Sequence, residues 1–262
     1  MEGRLRAPYR PRMASSRRRV VLTGAAGAIG RGVSGPLRSR WDLVETDQDA
    51  VGEVASLDVT DLPACREAFA GADAVVHLAA VPDPDAPWEQ LLSPNVVGAH
   101  AVARAAMEAQ VPRLVLASSL QAVAAAPQGT QRRSTDQARP ANLYGATKVW
   151  AEALGSWVAA SSTTSVVALR IGYFSPERPD PGTTSISELS AWLSARDAAE
   201  LLRAAVEAEG VRYLVANGTS ANRHRIADLE ETRRVLGYEP VDDAWDEDGS
   251  GPATSPGRVG AR

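Results

Sequence analysis

Three residues in this sequence could together move a proton and hold a reacting oxygen: Ser119, Tyr144 and Lys148. Tyr144 and Lys148 occupy positions i and i+4 of LYGATKVW, a segment with a helical pattern, so their side chains project from one face. A phenol is a poor base at neutral pH because its pKa is near 10, but an adjacent ammonium group favours the phenolate. We therefore expect Tyr144 to take a proton from a substrate hydroxyl, while Ser119 hydrogen-bonds the same oxygen.

Short apolar segments must position these residues. Each segment is nearly continuous in Val, Leu, Ile and Ala, which is typical of strands buried on both faces of a parallel sheet. They lie at residues 19–24, 42–47, 54–59, 74–80, 113–119, 165–172 and 213–217. Helical patterns separate them, so the sequence predicts an α/β fold, a Rossmann-type doubly wound parallel sheet of about seven strands with a small C-terminal substrate-binding part. The carboxyl ends of such strands line one crevice, which would bring Ser119 to Tyr144.

The first segment runs into TGAAGAIG, a glycine-rich loop that opens a helix. Gly24 permits a tight turn, Gly27 lets the backbone approach a pyrophosphate, and Gly30 lets the helix and strand pack closely. The free N–H groups at the helix start, which include those of Ala28 and Ile29, attract phosphate groups. The loop therefore indicates a dinucleotide site, although a glycine-rich turn without a ligand would have the same composition.

Asp47 ends the second segment, where a carboxylate accepts hydrogen bonds from the adenosine ribose and repels a 2′-phosphate. This position favours NAD over NADP, and its alternative is an aspartate that only forms a turn. Asp58 and Val59 would lie beside the adenine, and the small residues after His77 would let the dinucleotide pass. The remaining expected NAD-binding residues are Leu78, Ala79, Ala80, Asn95, Ile171, Tyr144 and Lys148. We expect His77 to be a hydrogen-bonded core residue without a catalytic role.

Lys148 is the only lysine among 28 basic residues. Codon bias explains why the other cations are arginine, and arginine would also serve on a solvated helix surface. It would not replace a compact ammonium group that must reach both a phenol and the nicotinamide ribose. The lone lysine therefore favours the catalytic interpretation of Tyr144 and Lys148 over an ordinary helix start.

Composition excludes several classes of protein. The formal net charge is -4, from 28 basic and 32 acidic residues, which does not indicate a nucleic-acid partner. No apolar run has the length of a membrane span, so we expect no membrane partner and a cytoplasmic location. One cysteine cannot form an internal disulfide, and the histidines lack metal-ligand spacing, so we expect no metal.

Both ends of the chain are expected to be disordered. Residues 1–17 are rich in Arg, Pro and Ser, and residues 241–262 contain few large apolar side chains. Residues 18–240 are then a single NAD-binding domain, in which a loop around 173–191 contacts the substrate. Trp150 and Trp157 lie seven apart on one predicted helix and indicate a packing or oligomer face, so a homo-oligomer is expected.

These motifs resemble the short-chain dehydrogenase/reductase family, in its extended, NAD-dependent epimerase/dehydratase branch. The resemblance covers about residues 19–240 and depends on TGAAGAIG, LDVTD, VVHLAA, LASS and LYGATK. Within that branch the chain is similar to uronate dehydrogenases, which oxidise C1 of a hexuronic acid to a lactone with NAD. The similar stretches include RPANLYGATKVWAE and SELSAWLSARDAAELLRAAVEA.

The resemblance also implies which residues contact the substrate. They are Ser119, Leu120, Gln121, Pro82, Tyr173 and Ser187. Uronate dehydrogenases have Asn and His where this chain has Leu120 and Gln121, and the arginine that grips the carboxylate falls at Ser187, with Arg178 as the alternative. Lost polar contacts leave sugar hydroxyls unpaired at a cost of about 1–3 kcal/mol each. A deoxy or C5-modified aldose without a carboxylate therefore fits better than a uronate, and Trp192 is a candidate pocket residue.

The sequence thus predicts an NAD-dependent oxidoreductase that oxidises the C1 hydroxyl of a small cyclic sugar, an aldose or a uronate, to a lactone. Tyr144 would be the base. The same residues also fit a sugar epimerase or a carbonyl reductase, in which the hydride returns to the substrate or moves the other way. A non-catalytic NAD-sensing protein of the same fold is the alternative from another class.

Overall fold

The computed structural model describes residues 17–127 and 129–246. At its centre is a seven-stranded parallel sheet with the strand order β3-β2-β1-β4-β5-β6-β9. Its strands are β1 (Arg19–Thr23), β2 (Asp42–Asp47), β3 (Ala55–Ser56), β4 (Ala74–His77), β5 (Arg113–Ser119), β6 (Ser165–Ile171) and β9 (Tyr213–Gly218). Each predicted apolar segment overlaps one of them, so the predicted fold class is confirmed.

Helices cover both faces of this sheet. They are α1 (Ala28–Arg40), α2 (Leu62–Phe69), α3 (Trp88–Leu91), α4 (Ala99–Glu108), α5 (Leu143–Ser161), α6 (Ile186–Ala191), α7 (Ala195–Glu207) and α8 (Glu230–Leu236). Side chains alternate across β1, so Val20 and Leu22 pack with α1 and α7 whereas Val21 packs with α2, α4 and α5. Within the described ranges, no helix is long and apolar enough to cross a membrane.

The strand order reverses between β1 and β4, which are direct neighbours. In an open α/β sheet the crevice for a ligand lies at this switch point, outside the carboxyl ends of the strands. The glycine-rich loop after Thr23, the segment after His77 and the strand-end residue Ser119 all lie at this edge. The fold thus brings the predicted cofactor and catalytic segments to the same edge.

The helix between β4 and β5 is less regular than the sequence pattern predicts. Residues Leu92–Gly98 form a π-helical segment before α4 begins. Pro94 has no N–H group to donate and its ring collides with the preceding turn of a regular α-helix, which accounts for the wider turn. This segment carries Asn95, so its irregular backbone affects the position of a predicted site residue.

Strands β7 (Tyr173–Phe174) and β8 (Trp192–Leu193) form a separate parallel pair that the sequence pattern does not reveal. Tyr173 pairs with Trp192, so the predicted substrate loop is closed at its base and carries α6 between the two strands. Two-residue strands are too short to show a periodicity, which is why they escape a search for apolar segments.

The predicted boundary of the C-terminal tail is wrong for residues 241–246. The backbone N–H groups of Val241 and Asp242 donate to the Asp197 carboxylate at 3.0 Å each, and Ala244 is buried. Arg223 forms an ion pair with Asp243 at 2.9 Å. Polar contacts therefore hold residues 241–246 in place. The scarcity of large apolar side chains, which predicted disorder, does not prevent this packing. Residues 1–16 and 247–262 lie outside the described residues, where the predicted arm and tail stay predictions.

Candidate active site

The glycine-rich loop has the backbone shape that a bound diphosphate requires. Gly24 has φ +76°, and a Cβ there would lie 2.5 Å from the backbone nitrogen of Ala79. A Cβ at Gly30 would collide with the carbonyl of Gly24. Gly27 is exposed and caps α1 without a side-chain hydrogen bond, so the N–H groups that follow, at Ala28 and Ile29, have no side-chain cap. This arrangement fits the phosphates of NAD.

A cleft of about 580 Å³ extends from this loop along the strand ends. Its lining includes the predicted residues Gly24, Gly27, Asp47, Asp58, Val59, Leu78, Ala79 and Ala80. It also includes four polar residues that the sequence did not single out, Gln48, Thr60, Gln90 and Ser93. Ile171, by contrast, is buried at the end of β6 and pairs with Ser119, which places it on the catalytic side. Ile29 packs against the core that contains α1 and α7.

Two carboxylates in this cleft are held by backbone donors. Asp47 accepts hydrogen bonds from the N–H groups of Ala26 at 2.9 Å and Gln48 at 2.8 Å, one on each oxygen. Asp58 accepts from both the hydroxyl and the N–H of Thr60, and these bonds lower the pKa of its carboxyl. Asp47 is therefore fixed beside the glycine-rich loop, where each oxygen keeps a lone pair for a ribose hydroxyl.

Asn95, for which the sequence allows a structural role as well as a place in the cofactor site, has its side chain engaged by the protein itself. Its oxygen accepts from Val81 N at 2.8 Å, and its amide nitrogen donates to Val81 O at 3.0 Å and to the Thr147 hydroxyl at 3.2 Å. Asn95 is buried, and these contacts join the segment after β4 to α5. It therefore positions the elements around the site.

Tyr144, Lys148 and Ser119 are buried together at the predicted place. The Ser119 hydroxyl hydrogen-bonds Tyr144, and Nζ of Lys148 lies 5.4 Å from the centroid of the Tyr144 ring. Asn142 caps α5 by accepting from Gly145 N at 2.7 Å. The first turn of this helix thus carries Tyr144, and the second carries Lys148 on the same face.

The electrostatics of this group differ from the sequence expectation. Burial raises the pKa of Tyr144 above its ordinary value, and the hydrogen bond with Ser119 offsets only part of this effect. Burial also lowers the pKa of Lys148 to about 8. In the protein alone, removal from water is thus the largest effect on the phenol, and the favourable influence that the sequence predicts for the ammonium does not appear as a lowered pKa.

His77 lies behind the catalytic group as a hydrogen-bonded core residue. Its Nδ1 and the Thr23 hydroxyl are 2.8 Å apart, and the two residues pair across β1 and β4. Burial and the charge of Lys148 lower the pKa of His77 to about 3. The imidazole is therefore neutral, and its position agrees with the expectation of a hydrogen-bonded core residue.

The predicted substrate residues have unequal surroundings. Leu120 and Gln121 begin the short 3₁₀-helix that Ser119 caps, and the Gln121 side-chain oxygen accepts from Asn142 at 3.1 Å. The other predicted substrate residues, all exposed, are Pro82, Tyr173 and Ser187. Ser187 lies on α6, and Arg178 is exposed in the loop before it.

The prediction that Trp192 lines a pocket is wrong. This side chain is only 3% exposed, packs with Leu189 and Ala244, and donates its indole N–H to Ser175 O at 3.0 Å. It closes the base of the 173–191 loop. Trp150 and Trp157 do face outward, and each is 39% exposed.

Sequence reasoning missed the residues that surround Tyr144. Val81, Ala86 and Leu91 pack against its ring, and all come from the segment after β4. It also missed Glu152, which lies one helical turn beyond Lys148 and forms a buried ion pair with Arg170. The i+4 spacing of Lys148 and Glu152 was a local signal, whereas the partner on β6 could not be found from local patterns. Among the described residues, no group of three or more His, Cys, Asp or Glu could hold a metal ion.

A doubly wound sheet with a glycine-rich loop, a strand-end aspartate and a buried Ser, Tyr and Lys defines a dinucleotide-binding protein of the Rossmann type. Residues 20–200 match the model of the NAD dependent epimerase/dehydratase family, so the chain belongs to this family. The expected family and the expected NAD cofactor are thereby confirmed.

Similar proteins of known activity match along most of the chain. L-arabinose 1-dehydrogenase (NAD(P)(+)) of Haloferax volcanii is 37% identical over 247 residues, which cover 86% of this chain and 97% of that protein. NAD-dependent glucose-6-phosphate dehydrogenase of the same organism is 33% identical and covers 86% and 94%. The crystal structure of uronate dehydrogenase from Agrobacterium tumefaciens is 30% identical, has a TM-score of 0.79, and covers 87% of this chain and 85% of that one.

Proposed function

We propose that the protein is an NAD-dependent dehydrogenase that oxidises the C1 hydroxyl of a small, uncharged cyclic aldose to the lactone. The observation that carries this proposal is the buried group of Ser119, Tyr144 and Lys148 beside a cleft that fits NAD. The expected class of enzyme, an NAD-dependent dehydrogenase acting on sugars, agrees with the relatives described above. Such a reaction would draw on the NAD of the cytoplasm, the location that the sequence favours.

The residues of this chain divide the chemistry between them. Tyr144 accepts the proton of the C1 hydroxyl, and Ser119 hydrogen-bonds the same oxygen as its bond to carbon becomes double. Lys148 supplies a positive charge that favours the phenolate of Tyr144 and holds the nicotinamide ribose. NAD, when bound, supplies the hydride acceptor. Asp47 receives the adenosine ribose and the first turn of α1 receives the diphosphate.

The surroundings of the site favour an uncharged substrate. The predicted substrate positions Ser119, Leu120, Gln121, Pro82, Tyr173 and Ser187 carry no charge, and Arg178, the alternative to Ser187, is exposed in the loop before α6. The segment that packs Val81 and Ala86 against Tyr144 also carries Asp83 and Asp85, both exposed. Two acidic groups beside the site repel a carboxylate or phosphate on the substrate, although salt weakens this effect. A pentose or deoxy sugar therefore suits the site better than a uronate or a sugar phosphate.

A substrate panel tests this function. Purified protein is mixed with L-arabinose, other pentoses, deoxyhexoses, glucuronate, galacturonate and glucose 6-phosphate, and NADH or NADPH formation is followed by absorbance. We expect an uncharged aldose to have a kcat/KM at least roughly 10-fold above those of the charged sugars, and NAD to exceed NADP by at least roughly 10-fold. A charged sugar as the best substrate would contradict the proposed substrate class. An epimerase would convert sugars without net NADH, and an NAD-sensing protein would bind NAD without turnover.

We also infer that the protein forms a homo-oligomer through the exposed face of α5. This face carries Leu143, Trp150 and Trp157, whereas the charged residues of the helix, Lys148 and Glu152, are buried. The indole N–H of Trp150 donates to Val96 O at 3.2 Å, which joins the face to the π-helical segment. A contiguous apolar surface of this kind is typical of a self-complementary interface related by a two-fold axis.

Light scattering coupled to size-exclusion chromatography tests the interface. We expect Trp157→Lys to reduce the mass from that of a dimer or larger assembly to that of the 27.6 kDa chain, because a charge is placed on the apolar face. Val51→Lys is the matched control, since Val51 is 60% exposed between β2 and β3, away from α5. A wild-type monomer, or an unchanged assembly in Trp157→Lys, would contradict the inference.

A further inference from the structure

Three polar side chains are buried side by side near the carboxyl ends of neighbouring strands. Ser118 on β5 pairs with Arg170 on β6, which in turn pairs with Asn217 on β9. All three are at most 3% exposed. We call them the polar row; it lies one residue before Ser119 along the sheet. Most polar groups buried at this depth have partners, so the contacts of these side chains indicate what they hold.

The main partner of the polar row is Glu152 on α5. Arg170 donates from Nε to Oε1 at 2.8 Å and from Nη2 to Oε2 at 2.9 Å, which is a two-point contact between guanidinium and carboxylate. The Ser118 hydroxyl donates to Oε1 at 2.6 Å. Both oxygens of Glu152 are therefore engaged on the side of the sheet, and its charge is balanced there.

Glu152 lies on the same helical stripe as the catalytic residues. Tyr144, Lys148 and Glu152 follow one another at intervals of four residues, and all three are buried. A carboxylate at this spacing is within reach of an ammonium group on the same helix face. Without Arg170, Glu152 would have Lys148 as its nearest counter-charge on α5. With Arg170, the carboxylate is turned toward the sheet.

The other side of the Arg170 guanidinium holds the segment that leads to Tyr144. Its Nη1 donates to the carbonyl oxygens of Arg133 at 3.3 Å, Ser134 at 3.4 Å and Asp136 at 3.4 Å. Asn217 donates to Arg132 O at 2.9 Å. This segment connects the short helix after Ser119 to the start of α5. The Arg170 side chain thus holds both the loop that leads into α5 and the Glu152 carboxylate on α5.

We propose that Arg170 is a positioning residue for the reaction: it holds Glu152 against the sheet and thereby leaves the ammonium group of Lys148 available to Tyr144 and the cofactor. This role rests on the proposed function of Tyr144 and Lys148. It requires that the buried charges of Arg170 and of Glu152, which lies one helical turn after Lys148, offset each other. Removing one partner should shift the titration of Lys148 in one direction, and removing the other should shift it in the opposite direction.

The neighbouring groups His77 and Tyr144 do not titrate near pH 8, so they do not interfere with the titration of Lys148. His77 from β4 has a pKa of about 3 and stays neutral near pH 8, and burial raises the pKa of Tyr144 above its ordinary value. Apart from Lys148, the charged residues of α5 and β6 are Glu152 and Arg170, which pair with each other, and the segment after β4 carries Asp83 and Asp85, both exposed. Burial is the cause that lowers the pKa of Lys148. Lys148 itself has a pKa of about 8.

The experiment uses the fact that Lys148 is the only lysine in the chain. Protein labelled with 13C at the lysine side chain gives one lysine resonance, and its pH titration reports the pKa of Lys148 directly. We expect Arg170→Met to raise this pKa by about one pH unit, because an unbalanced carboxylate favours the ammonium form. Glu152→Gln should lower it by about one pH unit, because an unbalanced guanidinium disfavours that form. The double variant Arg170→Met/Glu152→Met should return to the wild-type value.

Arg203→Met is the matched control, because it breaks the ion pairs of Arg203 with Glu200 and Glu207 on α7 and should leave the titration of Lys148 unchanged. Breaking a buried pair destabilises a protein, so Arg170→Met is measured well below its melting temperature. If it does not fold, Glu152→Gln carries the test, because it keeps the size of the side chain. Shifts in the same direction for both single variants, or no shift in Glu152→Gln, would overturn the proposal.

Turnover is measured in the wild type and in the same four variants. We expect kcat of Arg170→Met to fall at least roughly 10-fold and the double variant to recover to within about threefold of wild type, since the loss comes from the misplaced charge. A merely structural role would leave the pKa of Lys148 unchanged and give no recovery. The titration does not depend on turnover, so the absence of sugar oxidation would count against the proposed function alone.

Discussion

Replacing Tyr144 with phenylalanine should lower kcat at least about 100-fold and leave the Kd for NAD within about twofold of wild type. The variant keeps the ring that packs against Ala86 and Leu91, so the shape of the site is preserved. It removes the hydroxyl that takes the substrate proton. Steady-state kinetics with the best sugar of the panel and calorimetric titration with NAD provide the two measurements.

Tyr238→Phe is the control for the loss of a buried phenol. Tyr238 is fully buried and donates to Thr219 O at 3.0 Å, in the core that contains α7 and α8. We expect it to lose about 1 kcal/mol of stability and to keep its kcat. A Tyr144→Phe protein with more than about a tenth of wild-type kcat would show that another group accepts the proton.

The sequence predicted the sheet well because buried parallel strands are continuous apolar segments. The run that ends at Ser119, the run that ends at Asp47 and the run 74–80 that contains His77 are each long enough to recognise. A doubly wound sheet brings the carboxyl ends of the three strands to one edge. The i and i+4 spacing of Tyr144 and Lys148 then predicts their shared face. Local patterns therefore predicted the glycine-rich loop at the strand edge and the juxtaposition of Ser119, Tyr144 and Lys148.

The contacts that hold these residues depend on partners distant in sequence. Arg170 and Glu152 are 18 residues apart on a strand and a helix, and no local pattern pairs them. Asp197 receives the backbone of Val241 and Asp242, so a polar tail packs without apolar residues. Burial of Tyr144 also depends on the segment after β4, so the raised pKa of its phenol could not be predicted from the spacing to Lys148.

Lys148→Arg, the most conservative change at this position, should lower kcat at least about 100-fold. The ammonium group of Lys148 is buried among Tyr144 and His77, and its surroundings fit a compact cation. A planar guanidinium is larger and needs several acceptors, so it would displace the Tyr144 ring or leave buried N–H groups unpaired. Kinetics with the best sugar and a thermal melt provide the measurements, and we expect the melting temperature to fall. Retention of wild-type kcat would contradict both the catalytic role and the tight fit.

Lys148→Met should also abolish turnover, but it should make the protein more stable at neutral pH. Burial lowers the pKa of Lys148 from 10.5 to about 8, so folding below pH 8 must bury an ammonium group that water favours. That shift corresponds to roughly 3 kcal/mol of unfavourable folding free energy at pH 7, which methionine, of similar length and without charge, does not incur.

The pH dependence of this gain has a definite sign. Between pH 8 and 10.5 the unfolded wild-type chain binds more protons at Lys148 than the folded one, so the stability of the wild type rises with pH relative to the variant. Urea unfolding at pH 7 and at pH 10 should therefore show a large advantage for Lys148→Met that shrinks at the higher pH. If Lys148→Met is less stable than wild type at pH 7, Lys148 stabilises the fold and the prediction is wrong. If the variant is more stable and inactive, the buried charge of Lys148 destabilises the fold and serves the reaction.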